Sequence, residues 1–514
     1  MNIKQSILEF RKVGWYPFYV LIILLLAYLL NQLDRYAIGV TSIYIAQDMH
    51  WGDKGCLLNT SYSEAQVGNI SCEIINKTLT AHQMESMCDS KVSHLGEHVC
   101  MYNYNGQGVL FELLAGPAFI VVYTFAGIPL AATGDMTNRR NLLAGCLLFW
   151  STMTFITGFT QKYWQLLLLR FAVGIGEAGC TPFATSIIAD YFPSSLRAAA
   201  IGIYNWGIYT GYSLSFTLGD YVVKANILNQ GWRWVYWFAA IPGFVIAIVI
   251  FATVREPPKT NRDASLNTPK GFSWIRIKAA IAPFKNYTLL CLVIAGSIRN
   301  AAGYVWAYNT KPFFNQYYPR VLVADYLTWI PLVAGSLGSL LGGVISDRLV
   351  TSYGLKARIW VLIASQVCSA PFALMALLLP PPAAFIMLIP NNLIGEMWIG
   401  VTLTVVVEIV PGNIRTSAIA IYLFIITNIG GLMPLLVPPL TAISNLRTAL
   451  IVLFPMLYLV SSGLFLVAYF VHKLTTTNQE SGLTTANNDT QRLITDSFGG
   501  NPDGSQIADS NVTA

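Results

Sequence analysis

Apolar residues come in long blocks along this chain, separated by short polar stretches. Twelve blocks stand out, roughly 16–46, 108–133, 142–160, 163–191, 198–220 and 232–254, then 287–310, 325–346, 358–379, 383–410, 416–440 and 448–472. An α-helix needs about 20 apolar residues to cross the hydrocarbon core, where its backbone groups must bond within their own segment. The pattern predicts an all-α polytopic membrane protein with twelve transmembrane helices. The first block follows Lys4, Arg11 and Lys12 and is too long for the apolar core of a cleaved signal peptide.

Charge sets the expected orientation. Only 11% of the 514 residues are charged, against about 25% in soluble domains. With the N-terminus inside, the inner segments hold nineteen Lys and Arg and the outer ones nine, so both termini are expected to be cytoplasmic. The net charge of +6 follows from this bias and gives no reason to expect a nucleic-acid partner. The expected layout is a cytoplasmic N-terminus (1–15), a first helical bundle (16–254), a cytoplasmic linker (255–286), a second bundle (287–472) and a disordered cytoplasmic tail (473–514).

One outer loop, 47–107, is large. It carries Cys56, Cys72, Cys88 and Cys100 and three Asn-X-Ser/Thr sequons at Asn59, Asn69 and Asn76. Both features fit an oxidising lumen or exterior, with two disulfides and glycans expected. Four cysteines allow three connectivities, and all three stay open. Cys146, Cys180, Cys291 and Cys368 fall in spans, as packing residues, and no metal-ligand spacing occurs.

The two halves repeat one another. GDMTNRR (134–140) follows the second block and GGVISDR (342–348) the eighth. GIGE at 174–177, then DYFPSSLR and AAAIGI, is echoed by LIGE at 393–396, then EIVPGNIR and TSAIAI. Glu177 matches Glu396 at an offset of 219, and Pro193 and Arg197 match Pro411 and Arg415 at 218. The chain is expected to be two six-helix repeats.

Two parallel six-helix halves resemble the major facilitator superfamily, whose members bind substrate near the midplane between halves that rock about it. The resemblance rests on the Asp-containing loops after spans two and eight and on Arg170 and Glu177, spaced Arg-x6-Glu in span four. It implies an inner gate of Asp135, Arg139, Asp347 and Arg348. The first loop departs from the usual pattern at Ala131, Met136 and Asn138. Within the superfamily the chain most resembles the spinster family, through NQLDRY (31–36), GDMTNRR, GIGEA, IADYF (188–192), GWRW (231–234), IPG (241–243) and REPP (255–258). That likeness implies proton-linked export of a lysophospholipid or sphingolipid-like amphiphile from a lysosome or late endosome. The cysteine-bearing loop is instead similar to that of sialin-related organic-anion transporters, the alternative the resemblance leaves open.

Ionisable groups inside spans cost about 2.5–3.5 kcal/mol each at helix centre and usually face a partner or a wet cavity. Six such groups lie in spans 1, 4, 7 and 10: Asp34, Arg35, Arg170, Glu177, Arg299 and Glu396. Glu177 is about 21 Å into its span at 1.5 Å per residue. The six are expected to line the cavity and carry proton coupling or substrate contact, pairing across the halves in one state and separating in another. A static pair that fixes helix register is the alternative. Arg299 either anchors an anionic headgroup or pairs with Glu396 or Asp34. Glu112, Glu408 and Asp190 read as solvated span-end residues. Trp206, Tyr209 and Tyr212 form either a packing stripe or a cavity wall on span five.

In the tail, DTQRLI resembles an acidic dileucine signal, with Asp489, Leu493 and Ile494 as a site for clathrin adaptors. The residues imply no cofactor and no enzyme: no nucleophile–base set or phosphate loop accompanies the buried charges. The expected protein is a secondary active transporter in a lysosome-like membrane, or alternatively the plasma membrane. Its partners would be protons, an amphiphilic lipid or organic anion, and the bilayer. A transporter-fold sensor or accessory protein is the remaining reading.

Overall fold

The computed structural model describes residues 14–59, 72, 80–92, 98–257, 284, 286–410 and 415–474. The sequons at Asn69 and Asn76 and the tail signal at Asp489, Leu493 and Ile494 lie outside the described residues.

Twelve helical passes follow the expected blocks. The first half holds Trp15–Met49, then Val109–Ala115 continued by Pro117–Met136, then Arg139–Thr157. Its fourth pass is Tyr163–Glu177 with Cys180–Tyr191, its fifth Ser194–Thr217 and its sixth Arg233–Thr253. The second half begins with Tyr287–Tyr317, the eighth pass ends in Ser336–Tyr353, and the ninth is Leu355–Leu378. The tenth is Ala383–Gly395 with Trp398–Ile409, the eleventh begins with Arg415–Leu432, and the twelfth runs from Leu446 to Leu474.

Among the described residues, ten helical segments are long and apolar enough to cross a membrane. The third and fifth passes fall short of that mark because one opens on Arg139 and Arg140 and the other carries Asn205, Thr210, Ser213 and Ser215. The bilayer-facing surface is apolar, with Phe125, Trp164, Ile248 and Phe251 more than half exposed. In lipid such exposure carries no hydrophobic cost, so helices hold together by close packing and polar contacts.

Each half has its own core. Val20, Leu143, Ile187 and Ala247 pack in the first, and Leu292, Leu362, Val405 and Phe465 in the second. The halves meet where the first pass lies on the seventh, the fifth on the eighth and the second on the eleventh. At the last crossing Gly116 faces the carbonyl oxygen of Gly431 so closely that any Cβ there would overlap it.

Polar links between the halves lie on the side of the large loop and at the midplane. Gln107 bonds Gln316 at 3.1 Å, Thr217 bonds Thr328 at 2.9 Å, and Tyr221 bonds Asp325. Asp220 pairs with Lys311 and accepts from the Ala324 backbone N–H at 2.8 Å. Lys311 is therefore a buried residue of the seventh helix, which continues to Tyr317, and not a loop cation. Thr124 bonds Asn428 at 3.0 Å deeper in. On the linker side, by contrast, the ion clusters each sit within one half, as described below. The molecule is closed on the loop side.

The loop is a small folded unit. Strands Lys54–Leu58 and Cys100–Tyr104 pair antiparallel with Cys56 opposite Tyr102, beside the helix Ala81–Asp89, which Thr80 and Gln83 cap reciprocally. Of the three connectivities, the bridges are Cys56–Cys88 and Cys72–Cys100, with Cα separations of 5.6 and 5.7 Å. Bridges of this kind stabilise by about 2–4 kcal/mol each. Asn59 follows the first strand, its N–H donating to the Val99 carbonyl at 2.9 Å.

Candidate functional site

Two Gly-Glu pairs sit at breaks in their helices. The fourth pass stops at Glu177 and resumes at Cys180. Pro182 has no N–H to give the Ala178 carbonyl, so the helical ladder cannot run through this point. The tenth pass stops at Gly395 and resumes at Trp398. There the freed Gly395 carbonyl accepts from Arg299 Nη2 at 2.8 Å and Gln366 Nε2 at 3.4 Å. Each break turns a glutamate toward an arginine of the first helix of its own half.

In the first half Arg35 Nη2 stands 3.7 Å from Glu177 Oε2. Glu177 is fully buried and Arg35 is 8% exposed. The guanidinium lies 4.9 Å from the Phe119 ring centre and 4.7 Å from that of Tyr123, with Tyr304 of the second half beside it. Asp34 accepts from Thr154 Oγ1 at 2.8 Å and is close enough to Glu177 for the two carboxylates to interact. Arg35 Nε and Nη2 and both Glu177 oxygens lack hydrogen bonds. Buried polar groups are nearly always bonded, so such a set of unmet valences marks a functional or hydrated place.

Arg170 does not pair with Glu177. Its Nη1 and Nη2 donate to the backbone carbonyls of Asp34 and Arg35 at 3.3 and 3.4 Å. It fixes the height of the first helix against the fourth, which makes it a positioning residue in this state.

In the second half Arg299 Nη2 donates to Glu396 Oε1 at 3.2 Å, and its guanidinium lies 4.3 Å from the Tyr458 ring centre. Arg299 is thus engaged within its own repeat. Glu396 is 27% exposed and accepts from Tyr209 of the first half at 3.4 Å. The six midplane charges, expected to pair across the halves, form one pair in each half. The cross-half contacts to these pairs come from tyrosines that the charge pattern gave no reason to single out. Of the aromatic stripe, Tyr212 packs edge-on against Tyr36 and Phe216.

The linker side carries a second repeat of geometry. Arg139 bonds Asp190 at 2.7 Å, Glu256 at 2.8 Å and Ser186 at 2.6 Å. Arg358 bonds Asp347 at 2.7 Å, Glu408 at 2.8 Å and Ser346 at 2.9 Å. Arg358 therefore occupies the place expected of Arg348, which is exposed on the helix surface. The reason is spacing: Arg348 directly follows Asp347 on the same helix, while Arg358 lies in the first turn of the next helix, close to where Arg139 opens its own. Arg139 and Arg358 are 219 apart, the offset of Glu177 and Glu396. Asp135 lies in the last turn of its helix. Asp190 and Glu408 are cluster members, and Glu112 is buried, not solvated.

Residues 24–433 match the Major Facilitator Superfamily. The chain belongs to that superfamily. It is a membrane transporter by family, and the superfamily's members are transporters rather than enzymes. Protein spinster homolog 1 of Homo sapiens is 30% identical over 178 residues, 34% of this chain and 33% of that protein. The sphingosine-1-phosphate transporter SPNS2 of Danio rerio is 27% identical over 305 residues, 53% of this chain and 58% of its own. The chain thus spans from a third to somewhat over half of these spinster relatives. A solved bacterial homolog of the human lysosomal transporter Spinster, inward-facing and occupied, superposes with a TM-score of 0.63 at 22% identity, covering 90% of this chain and 97% of that one. That likeness carries the superfamily fold.

Proposed function

We propose that this superfamily member is a proton-coupled, alternating-access exporter of a single-chain anionic or zwitterionic lipid, a lysophospholipid or sphingolipid-like amphiphile, from a lysosome-like compartment. The observation that carries the reading is the buried Arg35–Glu177 pair beside Asp34, with hydrogen-bonding capacity left open on both partners. A carboxylate whose arginine turns to a headgroup arriving between the halves, and back again when it leaves, binds and releases a proton, because the arginine favours its charged form and desolvation its neutral form. The aromatic rings around Arg35 suit an anionic headgroup joined to an apolar chain.

Arg139 with Asp190 and Glu256, and Arg358 with Asp347 and Glu408, are proposed as the linker-side gate, with Asp135 at its edge. The large loop is proposed as luminal and glycosylated at Asn59, Asn69 and Asn76. The tail residues Asp489, Leu493 and Ile494 are proposed to recruit clathrin adaptors. Replacing Leu493 and Ile494 by Ala should then move a tagged protein from lysosomes to the plasma membrane, and unchanged location would count against the signal.

A sialin-like carriage of a small organic anion is the second reading, supported by the doubly bridged loop. Purified protein in proteoliposomes under an imposed pH gradient separates them. Gradient-driven uptake of labelled lysophosphatidylcholine, but not of a sugar acid, supports the lipid reading; the reverse supports the second. Flux of neither would contradict both and leave a sensor or accessory role.

A further inference from the structure

A vestibule of about 850 Å³ opens between the large loop and the second half, on the closed side of the molecule. The disulfide-bridged loop roofs it with Leu57 and Leu58, and Val437 and Leu446 of the second half wall it. At its floor is Glu112, 1% exposed, whose Oε2 has no hydrogen-bond partner. Its one side-chain hydrogen-bonding neighbour among the described residues is Asn309, itself buried. Lys54, Asp53 and Arg320 also line the space; the Lys54 ammonium lies over the Tyr104 ring at 4.9 Å rather than on the Glu112 carboxylate.

A buried carboxyl without a cation is costly, and an incoming positive group would offset that cost. A bare hard cation at Glu112 is a poor match, since it takes six or more oxygen ligands and the acid's own side-chain hydrogen-bonding neighbour is a single amide, Asn309. The apolar walls above the acid instead fit methylene groups. We propose that the vestibule binds the ammonium head and first methylenes of a single-chain cationic amphiphile, held by Glu112. This site is distinct from the midplane pairs and stands whether or not they carry the same molecule.

The test uses the full-length protein in nanodiscs and labelled sphingosine as the probe, with N-acetylsphingosine as the neutral control. Sphingosine should bind wild type and Trp164→Leu, a change on the bilayer-facing surface, alike. Glu112→Gln should weaken it about tenfold, the value of one charge-assisted hydrogen bond, while leaving the neutral control unchanged. Ala442→Trp, which fills the vestibule from an exposed lining position and leaves the acid in place, should weaken it as well. Equal sphingosine affinity in wild type, Glu112→Gln and Ala442→Trp would overturn the proposal. Loss in Glu177→Gln alone would also overturn it, by placing the probe at the midplane.

Discussion

The two midplane glutamates share a position in the repeat and differ in everything around it. Glu177 is sealed, meets Arg35 at 3.7 Å, and has a second acid, Asp34, beside it. Glu396 is partly open, meets Arg299 at 3.2 Å, and leans on Tyr209 from the opposite half. Arg299 also spends a donor on the Gly395 carbonyl, and Arg35 rests on aromatic faces. Duplication supplies matching charges, and the neighbours set the two pairs apart. On this account the first half carries coupling, and the second half carries the conformational contact.

The strongest way to break the contrast is to remove each arginine. Arg35→Met leaves the buried Glu177 unpaired and should cost about 3–5 kcal/mol of stability. Arg299→Met should cost less, because Glu396 can reach water. Melting of the two variants in the same detergent checks this; equal losses would mean that the halves are energetically alike.

The linker-side clusters come next. Arg358→Gln removes three polar contacts and should slow transport about tenfold through a loosened gate, at about 1.4 kcal/mol per factor of ten. Arg348→Gln should leave the rate near wild type. The reverse order, read from initial uptake rates, would return the gate to Arg348. Arg139→Gln should match Arg358→Gln, and a large difference between them would show the repeat to be asymmetric here too.

The smallest effect is expected at Tyr209→Phe. It deletes one hydrogen bond to Glu396, worth about 1 kcal/mol, and should change the uptake rate about fivefold while leaving proton coupling intact. A change in coupling would move the coupling role toward the second half.

Much of this was legible in the chain. The twelve blocks, the two-fold repeat and the Gly-Glu pairs follow from hydropathy and from offsets that recur in order. What surrounds each charge was not. The pairing of Arg35 with Glu177 depends on Arg170 holding the first helix by its carbonyls, a contact no residue pattern announces. Arg348 looked like the counterpart of Arg139 because both follow an aspartate motif. Arg358 lies beyond an added helical stretch, and only the shared offset of 219 could have signalled it. The Asp220–Lys311 pair sat unseen at the ends of two blocks, since the seventh helix extends past its apolar part. Glu112 read as a solvated end residue because the sequence gives no sign that the loop folds over it.

The central claim is that Glu177, rather than Glu396, couples protons to substrate. Measuring labelled lysophosphatidylcholine in proteoliposomes as exchange at equal pH and as accumulation under a pH gradient tests it most directly. The account predicts that Glu177→Gln keeps exchange and loses accumulation, while Glu396→Gln keeps both at reduced rate. Accumulation by Glu177→Gln at the wild-type level, or its loss in Glu396→Gln alone, would contradict it.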